Sequence, residues 1–172
     1  LLYPEHNILI FWSKKMVKMI SFGIVSKNRK ANFNYNITET FEAGIVLRGV
    51  EVKSLRSGTA NISEAFVVER NGELWLQNSY IPEYQGGVLS RFDTRAQRKL
   101  LLHKKEVKRL IGEITKSGIS LVPLDIHFNE KGKAKVTLGL GTGKKNYDKR
   151  QDVANRDWQR EKSRILKNKQ YD

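Results

Sequence analysis

Residues 121–140, Leu-Val-Pro-Leu-Asp-Ile-His-Phe-Asn-Glu-Lys-Gly-Lys-Ala-Lys-Val-Thr-Leu-Gly-Leu, decide the fold class. Val122, Leu124, Ile126 and Phe128 alternate with other residues, and Ala134, Val136, Leu138 and Leu140 do the same. A period of two gives each segment one buried face, and Gly132 falls in the loop that joins them as a hairpin. Residues 65–70 and 73–78 repeat the theme around Asn71-Gly72, the strongest short hairpin signal. Further upstream, Tyr35, Ile37, Phe41, Ile45 and Leu47 predict a long strand bent near Ala43-Gly44. Val52 and Leu55, between Gly49 and Gly58, predict a helix of about two turns. Val107, Leu110, Ile111 and Ile114 fall at helical spacing ahead of Gly118, with Lys104, Lys105, Lys108 and Arg109 on the other face. Strands, one good helix and more strands predict a mainly β fold: an OB-like Greek-key antiparallel barrel with short flanking helices.

Charge narrows the partner. The chain has 172 residues, with 32 Lys and Arg against 18 Asp and Glu, for a net charge of +14. A pI near 10 points to a polyanion. A membrane surface is disfavoured, because no apolar run approaches a spanning length and no amphipathic helix has a broad apolar face. The absence of cysteine excludes disulfides, thiolate metal sites and a cysteine nucleophile, and fits the cytoplasm. The apolar stretch Asn7-Ile8-Leu9-Ile10-Phe11-Trp12 is too short for a signal peptide, and Lys14-Lys15 lies on its wrong side.

Composition divides the chain into three. Residues 1–19 look foreign to the rest; Met16 or Met19 is the expected native start, and what precedes it is an over-extended reading frame or a short tail. Residues 20–141 form the expected barrel. Residues 142–172 are polar and basic: from Gly141 onward there are ten Lys and Arg against five acidic residues. Ala154, Trp158 and Ile165 would share one thin stripe of a helix. A helix with so little to bury is expected to be largely disordered alone and to form on a partner.

No catalytic constellation stands out. His6, His103 and His127 have no metal-ligand spacing, and no nucleophile–base pair or carboxylate pair is signalled. His127 is expected to face solvent, and His103 to cap the helix that follows or to touch RNA. Gly139-Leu140-Gly141-Thr142-Gly143-Lys144-Lys145 resembles a phosphate loop, but lacks the P-loop spacing and the Ser or Thr after Lys. A flexible hinge is the preferred reading of it.

Three basic clusters can neutralise phosphates. The first is Lys27, Arg29 and Lys30. The second is Arg91, Arg95, Arg98, Lys99, Lys104 and Lys105. The third is the tail, with Lys144, Lys145, Lys149, Arg150, Arg156, Arg160, Lys162, Arg164, Lys167 and Lys169. Any one of them could be a merely solvated face; three together with +14 favour nucleic acid. Tyr35, Phe41, Tyr80 and Tyr84 could stack on bases, although Tyr35 and Phe41 are better read as core. Tyr147 and Trp158 lie in a segment too polar to bury them and need a partner.

Several of these segments together resemble a known family. Asn28-Arg29-Lys30-Ala31, Glu39-Thr40-Phe41-Glu42-Ala43-Gly44-Ile45-Val46-Leu47, Glu51-Val52-Lys53-Ser54-Leu55-Arg56 and Ala60-Asn61-Ile62-Ser63 are similar to small protein B, the SsrA-binding protein of bacterial trans-translation. So are Arg98-Lys99-Leu100-Leu101-Leu102-His103-Lys104, Gly143-Lys144-Lys145-Asn146-Tyr147-Asp148-Lys149-Arg150 and Arg156-Asp157-Trp158-Gln159-Arg160-Glu161-Lys162. The resemblance covers about 145 of the 172 residues in order. It implies an OB-like barrel that binds the tRNA-like domain of transfer-messenger RNA (SsrA), with elongation factor Tu carrying the alanyl-charged RNA. It implies delivery to ribosomes stalled on messages without a stop codon, with no cofactor. The tail would lie in the decoding centre and message channel as a helix and license tagging of the incomplete protein for degradation. RNA-contact positions carry over to Asn28, Glu42 and Leu101, beside the cations Arg29, Lys30, Arg98 and Lys99. Tail positions carry over to Gly143, Lys144, Tyr147, Asp148, Lys149, Arg150, Trp158, Ile165 and Leu166, with Lys145 and Lys162 among the tail cations. Many members have His where this chain has Tyr147; tyrosine keeps a planar ring but has no imidazolium. The competing readings are a generic RNA-binding OB domain and an RNA-modifying enzyme.

Overall fold

The Leu121–Leu140 stretch folds as two ten-residue strands, β6 (Ile119–Phe128) and β7 (Ala134–Gly143). They belong to a computed structural model that describes residues 19–84 and 93–168. Ahead of them come β1 (Gly23–Lys27), α1 (Ala31–Asn34), β2 (Tyr35–Ile45), α2 (Gly49–Arg56), β3 (Phe66–Arg70), β4 (Glu73–Gln77), β5 (Arg98–Leu101) and α3 (Lys104–Ile114), and after them α4 (Asn146–Asn168). The expected N-terminal extension lies, up to residue 18, outside the described residues, with His6 and Met16; so do Arg91, Lys169 and the side chain of Lys167.

Local chemistry explains most of the elements. Asn71 and Gly72 take φ of 52° and 75°, the left-handed pair that a two-residue hairpin turn needs. Helix α2 is closed at its start by Glu51, whose carboxylate accepts from Arg48 N–H at 2.7 Å, and it buries Leu55. Helix α3 starts in the same way: Glu106 accepts from His103 N–H at 3.0 Å. His103 therefore stands at the N-cap. Leu110 of α3 is fully buried, and Val107, Ile111 and Ile114 pack against the same core.

The strands form one antiparallel sheet in the order β1-β6-β7-β2-β5-β4-β3. It curls until β3 lies beside β6, but among the described residues no ladder joins these two strands. The closed barrel expected from the sequence is therefore corrected to an open, curled sheet. The side of β6 away from β7 is taken by β1 from Asp125 to Phe128 and then by Asn28, whose backbone N–H donates to Leu124 O at 2.7 Å and whose Nδ2 donates to Pro123 O at 3.1 Å. These contacts take up two carbonyls of the β6 edge, and Pro123 has no N–H to offer.

Pro123 also marks a change of phase. The register of β6 against β7 shifts between Pro123 and Asp125. Leu121, Pro123, Ile126 and Phe128 therefore share the core side, and Val122 is buried on the opposite face, contrary to the uninterrupted Val122–Phe128 alternation. The register of β2 against β7 shifts between Ile37 and Glu39.

The glycine-rich segment is neither hinge nor phosphate loop. Gly139, Gly141 and Gly143 belong to β7, so the strand runs two residues past the expected domain boundary. A Cβ on Gly141 would lie 2.3 Å from Asn36 O, a backbone atom of the paired strand. The tail, expected to be disordered, is the 23-residue helix α4. Its Lys, Arg, Gln, Glu and Ala residues favour helix, and its length exceeds that of a marginal helix. Gly141→Ala should destabilise the protein by about 1–3 kcal/mol through overpacking against β2, read as a lower urea midpoint. An unchanged midpoint would contradict this packing.

Candidate nucleic-acid interface

Alternation across the central strands sorts the side chains into two faces. Ala43, Ile45, Ile126, Phe128, Val136 and Leu138 point into the core. Their neighbours along each strand must point outward. Register aligns them in two rows: Lys27, Asp125, Thr137 and Glu42 in one, and His127, Lys135, Gly44 and Leu101 in the next. Glu42 and Leu101 thus share the outer face. Leu101 is 51% exposed and lies so close to β2 that a Cβ on Gly44 would come within 3.3 Å of its own Cβ.

Glu42 is tied into this face from two sides. Its Oε1 lies 3.2 Å from Lys135 Nζ, and its Oε2 lies 3.3 Å from His127 Nε2. The Lys135 hydrogen bond holds the Glu42 pKa below the ordinary glutamate range; partial desolvation opposes it, and His127 adds to it. His127 points outward as expected but is half-buried there, and its Nδ1 lies 2.8 Å from Asp125 Oδ1. Asp125 also accepts from Thr137 Oγ1 at 2.9 Å. Sequence reading missed Asp125, His127 and Lys135 as a group. The available signal was the Asp-x-His alternation, once the register shift after Pro123 is allowed for.

Two expected contact residues have other surroundings. Asn28 is only 5% exposed. Its Oδ1 accepts from the N–H groups of Lys30 and Ala31 at 3.2 and 3.1 Å, so with the Pro123 contact it fixes the turn that presents Arg29 and Lys30. Both of these cations are exposed, and Lys30 pairs with Glu64 at 2.7 Å. Arg98, counted among the surface cations, is 2% exposed. Its guanidinium lies 2.7 Å from Glu51 Oε1 and donates to Ser79 O and Oγ, each at 2.7 Å, and to Ala96 O and Thr94 O. Leu100 on the same strand is buried, and a period of two turns Arg98 inward with it, leaving Lys99 and Leu101 outside. Lys99 pairs with Glu73. Arg95 lies over the exposed Tyr80 ring, and Lys104 and Lys105 are exposed. Tyr35, Phe41 and Tyr84 are half-buried, and Phe41 packs on the core.

The basic tail starts from a fixed base. Lys144 N–H donates to Asn34 O at 2.8 Å, and Lys144 Nζ reaches Asn32 O at 2.9 Å and Asp152 at 2.7 Å. Asp148 accepts from Lys145 N–H at 3.2 Å, as a first-turn acid should. Lys149 lies over Phe33 at 6.0 Å. Beyond this base, Arg150, Lys162, Ile165 and Leu166 are exposed, as are Tyr147 at 72% and Trp158 at 69%. Tyr147, Ala154, Trp158 and Ile165 fall on one face of α4. Gly143 closes β7 just before it. Among the described residues no helix is long and apolar enough to cross a membrane.

Residues 25–168 match the family model described as SmpB protein. The SsrA-binding protein of Gluconacetobacter diazotrophicus is 66% identical over 151 residues, covering 88% of this chain and 98% of the relative. That of Acidiphilium cryptum is 63% identical, covering 88% and 95%. A solved structure described as "tmRNA-SmpB: a journey to the center of the bacterial ribosome" superposes with a TM-score of 0.61 at 49% identity, over 73% of this chain and 86% of that one.

The two neighbouring cations Arg98 and Lys99 should behave differently on mutation. Arg98→Ala should cost about 3–5 kcal/mol, because it strands the buried Glu51 carboxylate, whereas Lys99→Ala should cost at most about 1 kcal/mol. Chemical denaturation of both variants checks this; equal small losses would contradict the buried role.

Proposed function

The chain belongs to the SmpB protein family, and we propose that it binds the tRNA-like domain of transfer-messenger RNA and delivers it to stalled ribosomes for trans-translation. The supporting observation is the pairing of two unlike surfaces. One is a sheet face that carries a fixed carboxylate, Glu42, beside an exposed Leu101. The other is a basic helix that leaves the body with Tyr147 and Trp158 uncovered.

In this reading the curled sheet acts as an OB-like platform. Lys27, Arg29, Lys30 and Lys99 supply phosphate contacts. Glu42 accepts from a base amino group or a ribose hydroxyl, and Leu101 packs on an unstacked base. Asn28 and Arg98 act from below the surface, the first by shaping the Arg29-Lys30 turn and the second by holding β5. The chemistry is binding, with no bond made or broken by the protein.

Residues 142–172 form the ribosome arm. Gly143, Lys144 and Lys145 carry it away from the body, with Asp148 capping its first turn. Lys149, Arg150 and Lys162 neutralise ribosomal RNA lining the decoding centre and message channel. Tyr147 and Trp158 stack on or fill grooves in that RNA, and Ile165 and Leu166 close the far end. The arm's apolar stripe is thin, so the helix offers Tyr147, Trp158 and Ile165 to that channel and not to the body of the protein. The other partner in the sequence of events is elongation factor Tu with alanyl-charged transfer-messenger RNA, and the setting is the cytoplasm. Residues 20–141 are the RNA-binding body.

Truncation after Lys145 separates the two surfaces. Affinity for the tRNA-like domain should stay within about threefold of the full chain, since α4 supplies only electrostatic contacts there. Tagging in a reconstituted translation system should be lost. A truncated protein that still supports tagging would overturn the role of the arm.

A further inference from the structure

We propose that His127 is a positioning residue that holds the Glu42 carboxylate in the geometry in which it meets RNA. The inference rests on the reading of Glu42 as an RNA contact and adds to it the device that fixes that contact.

The argument starts from hydrogen-bond capacity. An ionised carboxylate only accepts hydrogen bonds, and a neutral imidazole has one donor and one acceptor. His127 lies between two carboxylates, with Nδ1 2.8 Å from Asp125 and Nε2 3.3 Å from Glu42. Both contacts are hydrogen bonds only when both ring nitrogens carry hydrogen. Asp125 is fixed in turn by Thr137 Oγ1 at 2.9 Å. The Asp125 and His127 side chains are 17% and 18% exposed, whereas Glu42 is 53% exposed. A sheltered pair thus presents an exposed acid.

Lys135 completes the grip. It takes Oε1 of Glu42 while His127 takes Oε2, so the carboxylate is held at both oxygens from neighbouring strands. A single contact would leave the carboxylate free to rotate. Two contacts fix its plane and leave further lone pairs open toward solvent. A glutamate ordered in advance loses less rotamer freedom when RNA arrives.

The arrangement also bears on selectivity. On a strongly basic protein, a fixed carboxylate repels phosphate and accepts from amino and hydroxyl groups. It therefore rewards a base edge or ribose presented at one place and gives nothing to a generic phosphate backbone. Loss of His127 should weaken binding to the shaped RNA and leave non-specific binding unchanged.

A double-mutant cycle in the full chain tests this, with fluorescence anisotropy on an RNA of the tRNA-like domain and on an unrelated structured RNA of equal length. Glu42→Ala should weaken binding to the first RNA by about five- to thirtyfold. His127→Ala should weaken it by about two- to tenfold, and the double variant should bind no worse than Glu42→Ala alone. His127→Gln, whose amide can still donate to Glu42, should recover most of the loss; it also keeps the test open should His127→Ala fail to fold. The unrelated RNA should bind no variant more weakly than the parent. Losses that multiply in the double variant, or His127→Ala and His127→Gln binding like the parent while Glu42→Ala is weakened, would overturn the positioning role alone. An unchanged Glu42→Ala affinity would overturn the underlying Glu42 contact, and the proposal with it.

Discussion

Strand β2 belongs to two ladders at once. It pairs with β7 from Tyr35 to Gly44 and with β5 at Gly44 and Ile45. Without that shared strand, the β1-β6-β7 half and the β5-β4-β3 half would have no common sheet. The junction tolerates little bulk. Gly44 lies under Leu101, and Gly141 lies against the backbone of Asn36. The buried Arg98–Glu51 pair braces the same junction by tying the start of β5 to α2 and to Ser79. Glu42 and Leu101, one on each side of the junction, are therefore placed by the strand pairing itself.

The charge of the molecule has two parts with different work. Arg98 lies inside and is satisfied by a carboxylate, a hydroxyl and three carbonyls. The exposed cations of the Arg29-Lys30 turn and of α4 give attraction without selection. Selection needs fixed acceptors and apolar contact, and in the proposed reading Glu42 and Leu101 on the outer face of the sheet supply them. A carboxylate is an unusual feature on a surface proposed to meet RNA. Its attachment to Lys135 and His127 keeps it ionised and limits its motion, so that its cost in repulsion is confined to one place.

Much of this was legible in the sequence. Asn71-Gly72 located one hairpin because only a left-handed pair fits that turn, and the helical spacing of Val107, Leu110, Ile111 and Ile114 located α3. What escaped reading depended on partners distant in sequence. The side of β6 away from β7 is covered by β1 and by Asn28, which takes the carbonyls of Pro123 and Leu124, a contact between residues 95 apart in the first case. Pro123 was a visible sign of the register shift, yet its effect on which face Val122 occupies needs the paired strand β7. Arg98 was countable as a surface cation until its alternation with Leu100 was considered. The grouping of Glu42, Asp125, His127 and Lys135 comes from three strands and has no motif.

The central claim is that this surface recognises one RNA shape and does not merely attract phosphate. Binding to the tRNA-like domain of transfer-messenger RNA, measured beside an unrelated structured RNA of equal length across a salt series, tests it most directly. A gap in affinity that persists at physiological salt is the predicted result, since the electrostatic contribution fades as salt rises. Equal affinities that fall together along the series would contradict the account and leave a generic basic RNA-binding surface.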